Sequence, residues 1–205
     1  MSKRPTTVVF DMDDVLCRYH FHKRLACLSE MTGVAPEIIN EVIWERGFDE
    51  DADGGRYTAE EYHRLFCKKL GVSLSKQQWL EARTISIEPD KQVLIMAQQV
   101  KERATLVLLT NNGPLLKESI GDVFPEIVEI FGKRAYFSCQ FGTAKPDPRV
   151  FVRLLEQLQV RPQETLFIDD TEAYITGATK AGLLNHHFRT ASELRLVLDA
   201  YSLLT

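Results

Sequence analysis

The chain has 205 residues, 44% of them hydrophobic, and 29 acidic against 25 basic side chains give a net charge of −4. That apolar content at so small a net charge excludes a disordered chain, and the length allows one or two domains with a real core. No basic run offers a nucleic-acid footprint, so any phosphate recognised here is expected to be small and locally held.

The N-terminal stretch passes through Arg4, Pro5 and two threonines into Val8, Val9 and Phe10 before Asp11. This is too short an apolar region for a signal peptide, and no later run approaches the roughly 20 residues of a membrane span. The expectation is a cytoplasmic protein without membrane contact. Residues 6–10 form the first expected strand. From about Arg18 to Glu88 the pattern is helical with no convincing strand, punctuated at residues 33–36 and 71–75. Within it, Thr58 and Glu61 make a capping box for a helix through Tyr62, Leu65 and Phe66.

Beyond Pro89, Val93, Leu94, Ala97 and Val100 fall on one helical face. Strands are expected at 105–109, 134–138 and 165–168, with a weaker one at 185–188. Between them, Asp147 as N-cap and Pro148 in the first turn open a helix with an apolar face of Val150, Phe151, Leu154, Leu155 and Leu158. Short apolar runs with polar ends suit strands buried on both faces. The alternation predicts an α/β fold, a three-layer Rossmann-like parallel sheet, with an inserted helical cap. The core is expected over 1–17 and 89–205 and the cap over 18–88. Cys17, Cys27, Cys67 and Cys139 are widely spaced, which suggests neither a zinc site nor disulfides but reduced, mostly buried thiols.

In an open parallel sheet, ligands bind beyond the carboxyl ends of the strands. The expected strand ends and loops carry Asp11-Met12-Asp13-Asp14, Thr110-Asn111-Asn112-Gly113, Lys145-Pro146 and Asp169-Asp170. Carboxylates gathered in one cleft raise one another's pKa unless a cation sits among them. Oxygen ligands on short side chains favour Mg²⁺, which keeps substrate phosphate in its shell. Lys145 adds a fixed positive charge, while Thr110 and the backbone N–H groups after it, beginning at Asn111, can donate to phosphate oxygens.

The ordered motifs hhhDxDxV, hhhTNN, KP and hhhhDD, where h is apolar, resemble those of the haloacid dehalogenase (HAD) superfamily across nearly the whole chain. The resemblance implies that Asp11 is the nucleophile and Asp13 the general acid and then base. Thr110, Asn111 and Lys145 would bind the phosphoryl group. Asp169 and Asp170 would hold Mg²⁺ with Asp11 and the Asp13 backbone carbonyl, Asp170 being the favoured direct ligand. True dehalogenases of the superfamily lack the second aspartate and the metal, so Asp13 favours phosphoryl transfer. Phosphate esters need a proton delivered to the leaving oxygen.

The layout is similar to the sugar-phosphate branch that includes α-glucose-1-phosphate phosphatases, and to the phosphatase half of soluble epoxide hydrolases. The expected activity is hydrolysis of small phosphorylated metabolites, sugar phosphates foremost, through an aspartyl phosphate. The alternatives are a 5′-nucleotidase and a non-catalytic binding protein of the same fold. Asp14, where many members have glycine, is expected to add a third carboxylate beside the nucleophile. Tyr174 stands near a position often polar.

Asp49, Asp51, Asp53, Gly54 and Glu60 fit the spacing of an EF-hand calcium loop. Against calcium, Arg56 occupies the eighth position, no second copy exists, and Thr58 with Glu61 already explains the next helix start. The expectation is an acidic, solvated loop. Arg18, Tyr19, His20 and His22 at the cap entrance, and Trp44, Arg46 and Phe48 within it, are read as exposed or packed. His186 and His187 are read as structural.

Overall fold

The structure, a computed structural model, describes residues 4–205. Residues 1–3, counted in the expected core range, lie outside the described residues.

The chain begins with β1 (Thr7–Phe10) and passes through β2 (Cys17–Tyr19) into five helices, α1 (Phe21–Thr32), α2 (Pro36–Asn40), α3 (Phe48–Asp53), α4 (Ala59–Leu70) and α5 (Lys76–Thr84). After β3 (Ile87–Pro89) come α6 (Lys91–Lys101), β4 (Thr105–Thr110), α7 (Pro114–Val123), α8 (Pro125–Phe131) and β5 (Ala135–Phe137). The chain closes with α9 (Pro148–Leu158), β6 (Thr165–Asp169), α10 (Glu172–Lys180), β7 (Leu184–His187) and α11 (Ala191–Ala200). Strands β1, β4, β5, β6 and β7 form one parallel sheet in the order β5-β4-β1-β6-β7. Their bounds differ from the sequence expectation by at most one residue at either end.

Side-chain alternation splits the core into two layers, because successive strand residues face opposite sides. Val8, Phe10, Leu106, Leu108, Leu166 and Ile168 join the larger cluster with the apolar faces of α6, α7, α8 and α11. Val9, Val107, Leu109 and Phe167 join the smaller one with α9 and α10. This is the three-layer α/β architecture read from the sequence.

The register fixes the functional edge. Phe10 pairs with Leu108 on one side and Ile168 on the other, and the Asp11 N–H donates to the Ile168 carbonyl at 2.9 Å. The first residues past β1 therefore stand level with the ends of β4 and β6.

The stretch from 18 to 88 is not wholly helical: β2 and β3 pair antiparallel, Arg18 facing Glu88. Three-residue strands carry too little periodicity to stand out beside the flanking helices. They tie the two ends of the helical excursion together, while α4 and α5 pack on α7 of the α/β layer. The thiols also differ from expectation: all four are free, but only Cys17 is fully buried.

Candidate active site

Beyond β1 the chain turns sharply, the Met12 carbonyl accepting from the N–H of Leu16 at 2.8 Å. The turn presents Asp11 and Asp13 in different directions. Asp11, Asp169 and Asp170 each offer a carboxylate oxygen within 4.8 Å of the others. Lys145 Nζ lies 2.8 Å from Asp11 Oδ1 and 2.6 Å from Asp169 Oδ2, its side chain fully buried. Burial pushes the Asp11 carboxyl well above the usual carboxylate range; Lys145 opposes the shift and Asp169 adds to it. For Lys145, burial favours the neutral amine, but the Asp11 and Asp169 charges outweigh it and hold the ammonium charged. Asp170 is also raised, first by burial and then by Asp169 and Asp14.

These three carboxylates form an oxygen-only set with two more negative charges than the one lysine neutralises. A hard divalent cation suits such donors. Their supports are specific: Asp169 Oδ1 accepts from the Thr171 N–H at 2.8 Å, and His187 Nε2 lies 2.7 Å from the Asp170 carbonyl oxygen. His187 thus helps fix the loop that carries the acidic pair.

Thr110 is buried at the end of β4. Its Oγ1 accepts from Asn112 Nδ2 at 2.8 Å, and the same amide donates to Asp13 Oδ2 at 3.1 Å. Asn111 has its side chain committed elsewhere. Its Nδ2 donates to the Lys145 carbonyl at 2.8 Å and its Oδ1 accepts from the Lys145 N–H at 2.9 Å. The amide therefore fastens the lysine loop, leaving the main chain after Thr110 as the part of Asn111 suited to a phosphate. Tyr174 stands beside the same loop, its OH accepting from Asn111 Nδ2 at 3.4 Å and its ring centroid 4.8 Å from Lys145 Nζ.

Asp13 faces the helical excursion. Arg83 Nη2, on α5, donates to both its oxygens at 2.8 and 2.7 Å. Burial alone would raise Asp13, but Arg83 and the Asn112 amide outweigh it and hold the carboxyl below the usual range. Arg83 in turn lies 4.4 Å over the Tyr19 ring. Sequence reasoning missed Arg83 because one arginine in a helix carries no motif.

Two expectations need correction. Asp14 is exposed and is not one of the three clustered carboxylates, its φ being 57° and its Oδ1 accepting from the Tyr19 N–H at 2.9 Å. Its charge adds to the rise at Asp170. The acidic pattern at 49–60 is not a solvated loop either, since residues 48–53 are the helix α3. Asp49 accepts from Trp44 Nε1 at 2.9 Å and Tyr62 OH at 2.5 Å, while Asp51 pairs with Arg56. A helix cannot wrap its carboxylates around one calcium ion as the extended loop does.

The remaining residues singled out divide between surface and packing. His20 pairs with Glu88 and Arg46 with Glu41, both at 2.6 Å. Phe48 stacks on Tyr62, and Trp44 meets Phe21 edge to face. Among the described residues no helix is long and apolar enough to cross a membrane.

Known proteins resemble this chain in sequence and fold. The chain is 23% identical to a D-ribitol-5-phosphate phosphatase from Bacteroides thetaiotaomicron, over 82% of the chain and 84% of that protein. It is 30% identical to mouse acyl-CoA dehydrogenase family member 10 over 60% of its length, but spans only 12% of that larger protein. A solved structure of a predicted HAD-like family hydrolase from Porphyromonas gingivalis superposes with a TM-score of 0.78 at 25% identity, covering 96% of this chain and 98% of that one. A HAD family enzyme from Bacteroides thetaiotaomicron, solved with magnesium and inorganic phosphate, superposes at 0.75 with 21% identity, over 93% and 98% of the two chains. The model of the haloacid dehalogenase-like hydrolases matches residues 5–182, from before β1 to the turn after α10, and the chain belongs to that family.

Proposed function

We propose that the chain is a Mg²⁺-dependent phosphatase of small phosphorylated metabolites, sugar and polyol phosphates foremost, acting through a phosphoryl group on Asp11. The observation that carries this reading is the sharing of Asp11 between the buried Lys145 ammonium and the oxygen-only group completed by Asp169 and Asp170. One carboxylate then faces a fixed cation and a donor set suited to a hard metal, as nucleophilic attack on a phosphoryl group requires. The ribitol phosphate activity of the Bacteroides relative supports the same substrate class.

In this mechanism Lys145 neutralises charge on the transferring group while an Asp11 carboxylate oxygen attacks phosphorus. Thr110 Oγ1 and the main-chain N–H of Asn111 donate to the phosphoryl oxygens. Asp13 protonates the departing alcohol oxygen and, as a carboxylate, then takes a proton from the water that hydrolyses the Asp11 ester. The Arg83 contact favours that carboxylate form. Bound by Asp11, Asp169, Asp170 and the Asp13 carbonyl, Mg²⁺ would supply charge stabilisation at the phosphoryl oxygens. Residues 18–88 act as a cap over this centre, with β2 and β3 as its stem.

A phosphatase screen of metabolite esters with Mg²⁺, and with EDTA as control, tests the reading. Sugar or polyol phosphates should be turned over ahead of nucleoside monophosphates, and EDTA should abolish turnover. Preference for nucleotides would favour a 5′-nucleotidase. Tight binding to a macromolecule with only background hydrolysis of every ester would favour the non-catalytic alternative.

A further inference from the structure

At the seam between the helical excursion and the α/β layer lies a narrow cavity lined by Arg24, Asp49, Asp53, Tyr62, Trp79 and Asn112. Asn112 connects it to the chemistry, because the same amide donates to Asp13 and Thr110. The lining is expensive. Asp49 and Asp53 are four residues apart on α3, hence on one face of the helix. The Asp49 charge raises the cost of ionising Asp53 in a desolvated place, and replacing a desolvated charge by an apolar group often stabilises a protein. Folding alone does not explain the cluster.

The hydrogen-bond inventory points to a ligand. Arg24 and Trp79 are 5% and 3% exposed, and both Arg24 Nε and Trp79 Nε1 lack an acceptor. Buried donors without partners are uncommon. On the other side, the Asp49 carboxylate is engaged by Trp44 and Tyr62, whereas the Asp53 carboxylate meets its neighbours only through charge among the described residues, its main-chain carbonyl accepting from Ser138 Oγ. The cavity therefore offers unused acceptors and unused donors together. A hydroxyl group both donates and accepts, so a polyhydroxylated molecule satisfies both sets. An ammonium group could satisfy only the carboxylates, and Arg24 already places a cation there, 5.0 and 4.9 Å from the Trp44 and Trp79 ring centroids. A second phosphate would meet Asp49 and Asp53.

We propose that this cavity is the subsite for the alcohol half of the substrate, recognising a neutral polyhydroxylated group through acceptance at Asp53 and Asp49 and donation from Arg24 Nε and Trp79 Nε1. The assignment rests on the phosphatase reading above. The cavity measures ≈ 10 Å³, room for a single water. A bound alcohol must therefore widen the seam, with the helices that carry Arg24, Asp53 and Trp79 moving off the Asn112 loop.

The test is a specificity ratio measured with Mg²⁺ on the full chain. The probes are p-nitrophenyl phosphate, which has no hydroxyl, an acyclic pentitol phosphate, a hexose bisphosphate and an aminoalkyl phosphate. The wild-type protein should have its highest kcat/KM on the pentitol phosphate. Asp53→Asn should lower the ratio of pentitol to p-nitrophenyl phosphate kcat/KM by about 10- to 100-fold, the loss expected for one hydrogen bond to a charged group, and mainly through KM. Trp79→Phe, which keeps the ring and removes only the N–H, should lower the same ratio by a smaller factor and covers the case in which Asp53→Asn does not fold. An unchanged ratio in the folded variants would overturn the subsite and leave a cavity that holds structural water only. Preference for the bisphosphate or the aminoalkyl ester would overturn it as well. Absence of turnover on every ester, p-nitrophenyl phosphate included, would overturn the phosphatase reading and the subsite with it.

Discussion

Two aspartates at the seam are shifted in opposite directions, and each shift sets a stability prediction. Asp53 is raised well above the carboxylate range by burial first and by Asp49 next, with Asp13 adding and Arg24 and Arg83 opposing. An acid whose folded pKa is raised contributes stability that is fully present below its unfolded pKa and lost as pH rises through the folded value. Wild-type protein at neutral pH therefore carries the penalty of that charge. Asp53→Asn should raise the melting temperature by a few degrees near pH 7, and the gain should vanish below about pH 4, where the unfolded side chain is also protonated. Thermal unfolding across this range checks it. A melting temperature raised while pentitol phosphate turnover falls would mark the site as one where function is held at the expense of stability.

Asp13 behaves in the opposite sense. Its pKa is lowered against burial by Arg83, so its contribution is present above the unfolded pKa and lost as pH falls through the folded one. The Arg83 side chain is 1% exposed and that of Asp13 24%. Removing one partner of such a pair strands the other, at a cost of about 3–5 kcal/mol. Arg83→Met should show a loss of that size in denaturant unfolding at pH 7, and a smaller one at pH 3.

At the scale of elements, the lysine loop depends on a glycine in α10. A Cβ on Gly177 would stand 2.2 Å from the Pro146 carbonyl oxygen, a backbone atom that cannot move without Lys145. Gly177→Ala should cost about 1–3 kcal/mol, as overpacking does, and should also lower kcat. Gly121→Ala in α7 is the control. Its Cβ would make an ordinary contact, 3.6 Å from Val128 Cγ2, and it should be neutral or slightly stabilising. Calorimetry with parallel turnover assays separates the two.

The elements also explain what the sequence could disclose. Four of the five parallel strands were legible because each is a short apolar run closed by a polar end; β7, with Asn185, His186 and His187, gave a weaker signal. Asp147 before Pro148 and Thr58 with Glu61 are local signals that act as expected, each capping its helix through the side chain. The motif residues Asp11, Thr110, Lys145 and Asp169 were legible for the same reason, standing at strand ends or in the loop between strands. The antiparallel β2–β3 pair was not, because three residues hold no period. Nor were Arg24, Asp49, Asp53 and Arg83. Acids and bases spaced four apart on a helix look the same whether that face meets water or a seam, and only tertiary packing turned this one inward. The helix over residues 48–53 was hidden within a stretch expected to be a solvated loop, because the spacing of its acids carries no backbone conformation.

For the whole molecule, a net charge of −4 says little about the field at the cleft. Asp11, Asp169 and Asp170 sit together against one lysine, and the register of the sheet rather than the composition collects them. A cation bound by the folded state alone stabilises it by mass action, about 2.7 kcal/mol at 100 times its dissociation constant. For a chain of this length that corresponds to a rise of about 5–10 °C in melting temperature. Mg²⁺ should produce this shift in the wild-type protein and EDTA should reverse it. Asp170→Asn should remove most of the response.

The proposed reaction places the phosphoryl group transiently on one named side chain. Rapid acid quench during turnover of p-nitrophenyl phosphate with Mg²⁺, followed by peptide mass spectrometry, reads that intermediate directly. The account predicts one phosphoryl group on the peptide containing Asp11, labile to hydroxylamine, and neither adduct nor turnover in Asp11→Asn. Turnover retained in Asp11→Asn, or a phosphoryl group found on any other residue, would contradict it.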